Sequence, residues 1–125
     1  MNKELFEKGL QVRRAVVGDA YVDASLKNAD DFSMPMQELV TEFCWGEVWT
    51  RPALDRRSRS ILNLGMIAAL NRPEELATHV RGAINNGVTK DEIKECFLQV
   101  AVYVGMPAGL GCFKIARQVF KEMGI

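Results

Sequence analysis

Histidine is almost missing from this chain: one residue, His79, in 125. A lone imidazole cannot furnish the paired histidines of common zinc sites, and the three cysteines, Cys44, Cys96 and Cys112, form neither a CxxC nor a finger pattern. The sequence therefore predicts no catalytic metal, and an odd number of scattered thiols fits the reducing cytoplasm. Charge of one sign is also lacking. Sixteen Lys and Arg balance sixteen Asp and Glu, which disfavours nucleic acid and anionic membrane as partners. The longest apolar stretch, Ile61 to Leu70, is interrupted by Asn63 and is about half of what a bilayer span needs. Lys3, Glu4, Glu7, Lys8, Arg13 and Arg14 break up the N-terminus, so no secretory signal is expected and the mature chain is expected to begin here. There is no glycine-rich phosphate loop, no repeat and no low-complexity run.

What remains is a chain that is 48% hydrophobic and 26% charged, the mixture of one globular domain over residues 1–125. Its punctuation is helical, and the fold class expected is all-α with six to seven helices. Leu5, Gly9, Val12 and Val16 keep helical spacing over about Lys3 to Val17, until Gly18-Asp19 stops the segment; a short helix from about Tyr21 to Lys27 follows. Ser33 is placed to cap a longer helix with Pro35 in its first turn, buried through Met36, Leu39, Val40, Phe43 and Val48 and ended by Arg51-Pro52. Asp55 caps a helix to about Leu70 that is apolar on most sides and so is expected to be central. Pro73 opens a segment striped by Leu76, Val80, Ala83 and Ile84, stopped at Asn86-Gly87. Thr89 and Glu92 form a capping box ahead of Ile93, Cys96, Phe97, Val100, Ala101 and Val104. After Gly105 and Pro107, a last helix from about Ala108 to Met123 presents Phe113, Ala116, Phe120 and Met123.

Three groups of residues can carry chemistry. His79 lies four residues after Glu75, a spacing at which a helix lets a carboxylate orient an imidazole. It reads either as a proton donor or acceptor at the edge of a pocket or as a helix-surface histidine with an ion-pair partner. Trp45 and Trp49, also four apart, stand with Glu47 and Arg51 at one helix end. They suit a flat anionic ligand, an indole covering a ring and a guanidinium pairing a carboxylate, or equally the packing of two large aromatics. Arginines gather at Arg13 and Arg14, at Arg51, Arg56, Arg57 and Arg59, and at Arg72 and Arg81 around His79. A substrate with two carboxylates needs such forks, although most surface arginines only solvate a face.

Several long pieces, in order, resemble the 4-carboxymuconolactone (γ-carboxymuconolactone) decarboxylases of the protocatechuate branch of the β-ketoadipate pathway. They are QVRRAVVGDAYVD (Gln11 to Asp23), WGEVWTRPAL (Trp45 to Leu54), RSRS (Arg57 to Ser60), NRPEELATHVRGAINNGVTKDEIKE (Asn71 to Glu95) and QVAVYVGMPAG (Gln99 to Gly109). The portion H-x-x-x-A-x-x-x-G-x-T-x-x-E-I, from His79 to Ile93, is shared by the broader alkylhydroperoxidase D-like superfamily and implies that fold. The thiol oxidoreductases of that superfamily carry a CxxC before the shared histidine and an acid upstream. Here Arg72, Glu75 and Ser60 occupy those positions, so three of the four working groups of the thiol branch are replaced. The chain also departs from the decarboxylase pattern at Gly109, Leu110, Gly111 and Cys112, where Ala-Ala and Asn are expected.

The resemblance implies a cofactor-independent decarboxylation giving 3-oxoadipate enol-lactone, because the unsaturated lactone accepts the electrons left behind by carbon dioxide. It implies His79 as proton donor or oxyanion donor, with Glu47 or Glu75 tuning the imidazole. Arg51 and Arg59 are implied as the first carboxylate ligands, Arg13 and Arg72 behind them, and Trp45 as a pocket wall. A homohexamer, as a trimer of dimers in the cytoplasm, is the implied assembly. The alternatives are a thiol-dependent oxidoreductase, a paralogue acting on another lactone, and a non-enzymatic binding or assembly subunit.

Overall fold

The computed structural model describes all residues 1–125, and every regular element in it is a helix. The all-α expectation therefore holds. The chain divides into two compact units, Met1–Asp55 and Arg56–Ile125, each with its own hydrophobic cluster.

In the first unit, α1 (Lys3–Val17) starts where the Asn2 side chain accepts the Leu5 N–H at 3.0 Å. It buries Gly9, Val12, Val16 and Val17, close to the expected stripe, and Gly18, at φ 94°, ends it in a conformation that suits only glycine. Helix α2 (Asp19–Lys27) follows at once, two residues before the expected Tyr21, with Arg14 paired to Asp19 and Asp23 across the turn. Helix α3 (Met34–Leu39) is short. Ser33 does not cap it; its hydroxyl instead accepts the Asp30 N–H at 3.0 Å.

The chain then widens into a π-helix over Val40–Val48, and at its end the Trp49 N–H reaches back five residues to the Cys44 carbonyl at 2.9 Å. This changes which side chains face inward. Phe43 is 60% exposed, while Thr41, Trp45, Gly46 and Trp49 are buried and Val40 packs against their cluster; Met36 and Leu39, in α3, are exposed as well. The expected stripe assumed 3.6 residues per turn; a wider turn carries successive inward positions at intervals of four and five. Helix α1 lies close enough that a Cβ on Gly9 would land on the Thr41 carbonyl oxygen, and one on Gly46 would sit 2.7 Å from that of Leu5.

In the second unit, α4 (Arg56–Leu70) buries only Ser60, Leu64 and Ala68. Leu62, Met66 and Leu70 repeat every four residues along an exposed face, so this helix is less enclosed than its composition suggested. Asn71, at φ 56°, turns the chain into α5 (Pro73–Asn85), which buries Leu76, Val80, Gly82 and Ala83 and stops before Gly87 at φ 87°. The Thr89/Glu92 capping box forms as expected and opens α6 (Lys90–Tyr103), whose Ile93, Phe97 and Val100 join the core. Helix α7 (Met106–Met123) starts two residues earlier than expected, because Pro107 sits in its first turn, where its missing N–H costs nothing. It passes α6 so closely that a Cβ on Gly109 would lie 2.5 Å from that of Ala101. No helix is long and apolar enough to cross a membrane.

Candidate active site

Helix α5 presents His79 between two buried core positions, Leu76 and Val80, so the imidazole is half-buried along the border of the apolar face. Burial pushes its pKa below the ordinary 6.5, and the exposed Glu75 carboxylate one turn earlier pulls the other way without cancelling it. The ring is therefore mainly neutral at pH 7. From α4, Asn63 brings its side-chain Nδ2 to 3.4 Å from His79 Nδ1. The sequence reading missed Asn63, although it was visible as the lone amide in the apolar run Ile61 to Leu70.

Around this trio, the second unit places two of the expected arginines differently. Arg59 is half-buried on α4, one residue before the fully buried Ser60, whose hydroxyl accepts from Asn86 Nδ2 at 2.8 Å. Arg72 is exposed at the start of α5, about 10 Å of helix from His79. Its guanidinium reaches the Leu70 carbonyl at 3.4 Å, beside a cavity of about 350 Å³ lined by Pro73, Leu76 and Cys112. A larger cavity of about 530 Å³ is lined by Lys90, Lys94, Phe97, Phe113, Arg117 and Phe120 and contains none of the expected residues.

In the first unit, the wide π-helix turn stacks Trp45 on Trp49 with ring centroids 4.7 Å apart and planes 28° from parallel. Both indoles are buried, Glu47 is exposed between them in sequence, and Arg51 is exposed just beyond. The Thr50 hydroxyl donates to the Gly46 carbonyl at 2.6 Å and tightens this end. Arg13 is only 4% exposed: its guanidinium donates to Gln37 Oε1 at 3.0 Å and Thr41 Oγ1 at 3.2 Å and lies 6.0 Å from the Tyr21 ring centroid. Burial lowers its pKa, and its contacts make it a tie from α1 to α3 and the π-helix.

The three thiols are poorly placed for redox work. Burial raises the pKa of Cys44, Cys96 and Cys112; Trp49 and Arg13 only partly offset this at Cys44, and the Cys96 backbone and Arg57 do so at Cys96. Raised pKa values keep them as thiols rather than reactive thiolates at neutral pH.

Residues 35–118 match the model of the carboxymuconolactone decarboxylase family. The chain is 43% identical to a 4-carboxymuconolactone decarboxylase of Acinetobacter baylyi, over 99% of its own length and 92% of the relative's. It is 46% identical to a nitrosuccinic acid decarboxylase of Metarhizium robertsii, over 98% of its length and 86% of the relative's. A 4-carboxymuconolactone decarboxylase of Pseudomonas putida is 44% identical over 36% of this chain and 94% of the relative's. With more than half of its residues inside the family match and near-complete coverage by the Acinetobacter relative, the chain belongs to the carboxymuconolactone decarboxylase family.

Proposed function

We propose that this protein is a carboxy-lyase that converts 4-carboxymuconolactone to 3-oxoadipate enol-lactone without a cofactor. The observation that carries this reading is the end-to-end likeness to the Acinetobacter decarboxylase. In this reaction the bond from the lactone γ carbon to its carboxylate breaks, and its electron pair becomes the β–γ double bond. The former α–β π pair becomes a double bond between the α carbon and the carbonyl carbon, which pushes the carbonyl π pair onto oxygen as a dienolate, and the α carbon then takes one proton, drawn ultimately from water. Carbon dioxide leaves. The protein must hold two carboxylates, stabilise the oxyanion and govern the protonation.

His79 serves the dienolate, and Glu75, one helical turn away, partly opposes the effect of burial on the imidazole, with Glu47 the second acid in the proposed set. Arg51 and Arg59 are the first ligands for the two carboxylates; Arg72 stands behind them, and Trp45 forms a wall. The buried bonds of Arg13 favour a supporting role, holding the π-helix that carries Trp45. The raised thiol pKa values weigh against the thiol-dependent alternative.

The Metarhizium relative supports a second substrate. Nitrosuccinic acid is also a dicarboxylate with an acetate arm on the carbon that bears an electron-accepting group, so its decarboxylation makes the same demands on a protein. Ultraviolet spectrophotometry of the purified protein with 4-carboxymuconolactone tests the first reading: enol-lactone formation is expected. Inertness toward the lactone alongside robust peroxide or disulfide reduction would overturn it.

The same reading takes the protein as a cytoplasmic homohexamer, a trimer of dimers. Support comes from the apolar side chains that the second unit leaves uncovered, among them Leu62, Leu70, Val102, Tyr103 at 82% exposure, Met106 and Leu110. Light scattering at micromolar concentration is expected to give a hexamer, and a stable monomer would contradict it.

A further inference from the structure

Asn63 is placed beside one ring nitrogen of His79, Nδ1. A neutral imidazole carries its proton on one nitrogen and a lone pair on the other, and the partner of either nitrogen decides the choice. Asn63 sets its amide nitrogen, Nδ2, 3.4 Å from His79 Nδ1. An amide –NH₂ donates and cannot accept, so this arrangement matches a ring in which Nδ1 accepts and Nε2 carries the proton.

We infer that Asn63 is a positioning residue that holds neutral His79 as the Nε2–H tautomer, so that Nε2 is the hydrogen-bond donor offered to the developing dienolate oxygen. The inference rests on the decarboxylase reading for its catalytic meaning, but the tautomer itself is a property of the ligand-free protein.

The surroundings agree with this assignment. Asn63 is half-buried on α4 amid an otherwise apolar run, and a solvating surface amide has no reason to be there. His79 lies between Leu76 and Val80, which favours the neutral ring, and Glu75 is the carboxylate acting on it from the same helix. A neutral donor suits the chemistry: it stabilises an oxyanion without first having to be protonated, whereas an imidazolium would be scarce at neutral pH in this setting. No side-chain proton is consumed in that role, and the proton that ends on the α carbon still comes from water.

Because His79 is the only histidine, the test is unusually clean. In ¹⁵N-labelled protein at pH 8, long-range ¹H–¹⁵N correlation of the imidazole reads the tautomer directly. Nδ1 is expected to resonate as an unprotonated nitrogen and Nε2 as a protonated one. Asn63→Asp, which replaces the donor by an acceptor, is expected to move the proton to Nδ1 and lower kcat by about 10²-fold with little change in KM, comparable to other losses of a positioned donor. Circular dichroism checks that this variant folds; if it does not, the spectrum of the unmodified protein decides alone. An Nδ1–H ring in the unmodified protein would overturn the inference, because it would mean that the Asn63 amide presents its oxygen. So would a folded Asn63→Asp protein with an unchanged tautomer. If the tautomer is as expected but no lactone is consumed, the decarboxylase reading fails and the assignment of Asn63 stands.

Discussion

The two units hold their helices together by different means. In Arg56–Ile125 the packing follows ordinary α periodicity, with a capping box at Thr89 and Glu92 and core positions such as Leu76, Val80 and Ala83 at expected intervals. In Met1–Asp55 the contact between α1 and the π-helix depends on two missing side chains, at Gly9 and Gly46, and on a buried cation, Arg13, bonded to Thr41 and Gln37. The comparison teaches that the first unit is specified by close approach and polar matching, and the second by local propensity and an apolar stripe. The second unit keeps one such close approach, Gly109 against Ala101, and has slack elsewhere, as at Gly65.

The largest effect expected from a single substitution falls on the chemistry of the second unit. His79→Gln should keep the fold, as judged by circular dichroism, and lower turnover by roughly 10²–10³-fold, the usual worth of a positioned oxyanion donor, because the glutamine amide does not hold an N–H where imidazole Nε2 does. Near-native turnover would reduce His79 to a wall. Next in size, Arg51→Ala in the first unit and Arg59→Ala in the second should each weaken substrate binding by about 2–5 kcal/mol if they pair buried carboxylates. Lys90→Ala and Lys121→Ala are the controls. Binding isotherms with equal, small losses in all four would return both arginines to the surface.

A pair of glycine substitutions tests the packing contrast itself. Gly9→Ala forces a methyl group onto the Thr41 carbonyl and is expected to destabilise by about 3 kcal/mol, the upper part of the usual overpacking range. Gly65→Ala, inside α4 with nothing within 4 Å of the added methyl, should stabilise by about 0.5–1 kcal/mol through helix propensity. Equal effects in urea unfolding would erase the distinction between the units.

These variants also mark where the sequence was legible. The α-helical stripes of α1, α5 and α6, the Gly18 and Gly87 stops and the capping box all depend on neighbours within a few residues, so periodicity and turn chemistry reveal them. The π-helix was not legible, because nothing in VTEFCWGEV departs from α propensity strongly enough to signal a wider turn; its inward face follows from Gly9 and Gly46 accepting close neighbours. His79 and Glu75 could be paired by spacing on one helix, whereas Asn63 reaches His79 from a different helix across sixteen residues. Arg13 stands out in the sequence by its charge, and only tertiary structure reveals its partners.

Smaller still is the pH effect on stability. Since burial depresses the pKa of His79, the unfolded chain binds the proton more readily than the folded one. The contribution of the neutral ring is complete above the unfolded value of about 6.5 and is lost as pH falls through the lower folded pKa. Thermal midpoints should therefore fall more between pH 6.5 and 5 for the unmodified protein than for His79→Gln; parallel declines would contradict this. Replacing all three thiols, as Cys44→Ser, Cys96→Ala and Cys112→Ala, should leave turnover essentially unchanged. Complete loss of activity in a folded triple variant would restore the thiol branch.

Removal of carbon dioxide by this chain from a dicarboxylate that supplies its own electron sink is read out by measuring carbon dioxide release. The unmodified protein and His79→Gln would be compared in deuterium oxide, with 4-carboxymuconolactone and nitrosuccinic acid supplied in parallel. The expected result is one carbon dioxide per lactone consumed, one deuterium on the carbon α to the product's carbonyl, faster turnover of the lactone than of nitrosuccinic acid, and a large loss in the variant. No carbon dioxide from either substrate would contradict decarboxylation by this chain, and equal release by the unmodified protein and His79→Gln would take His79 out of the chemistry.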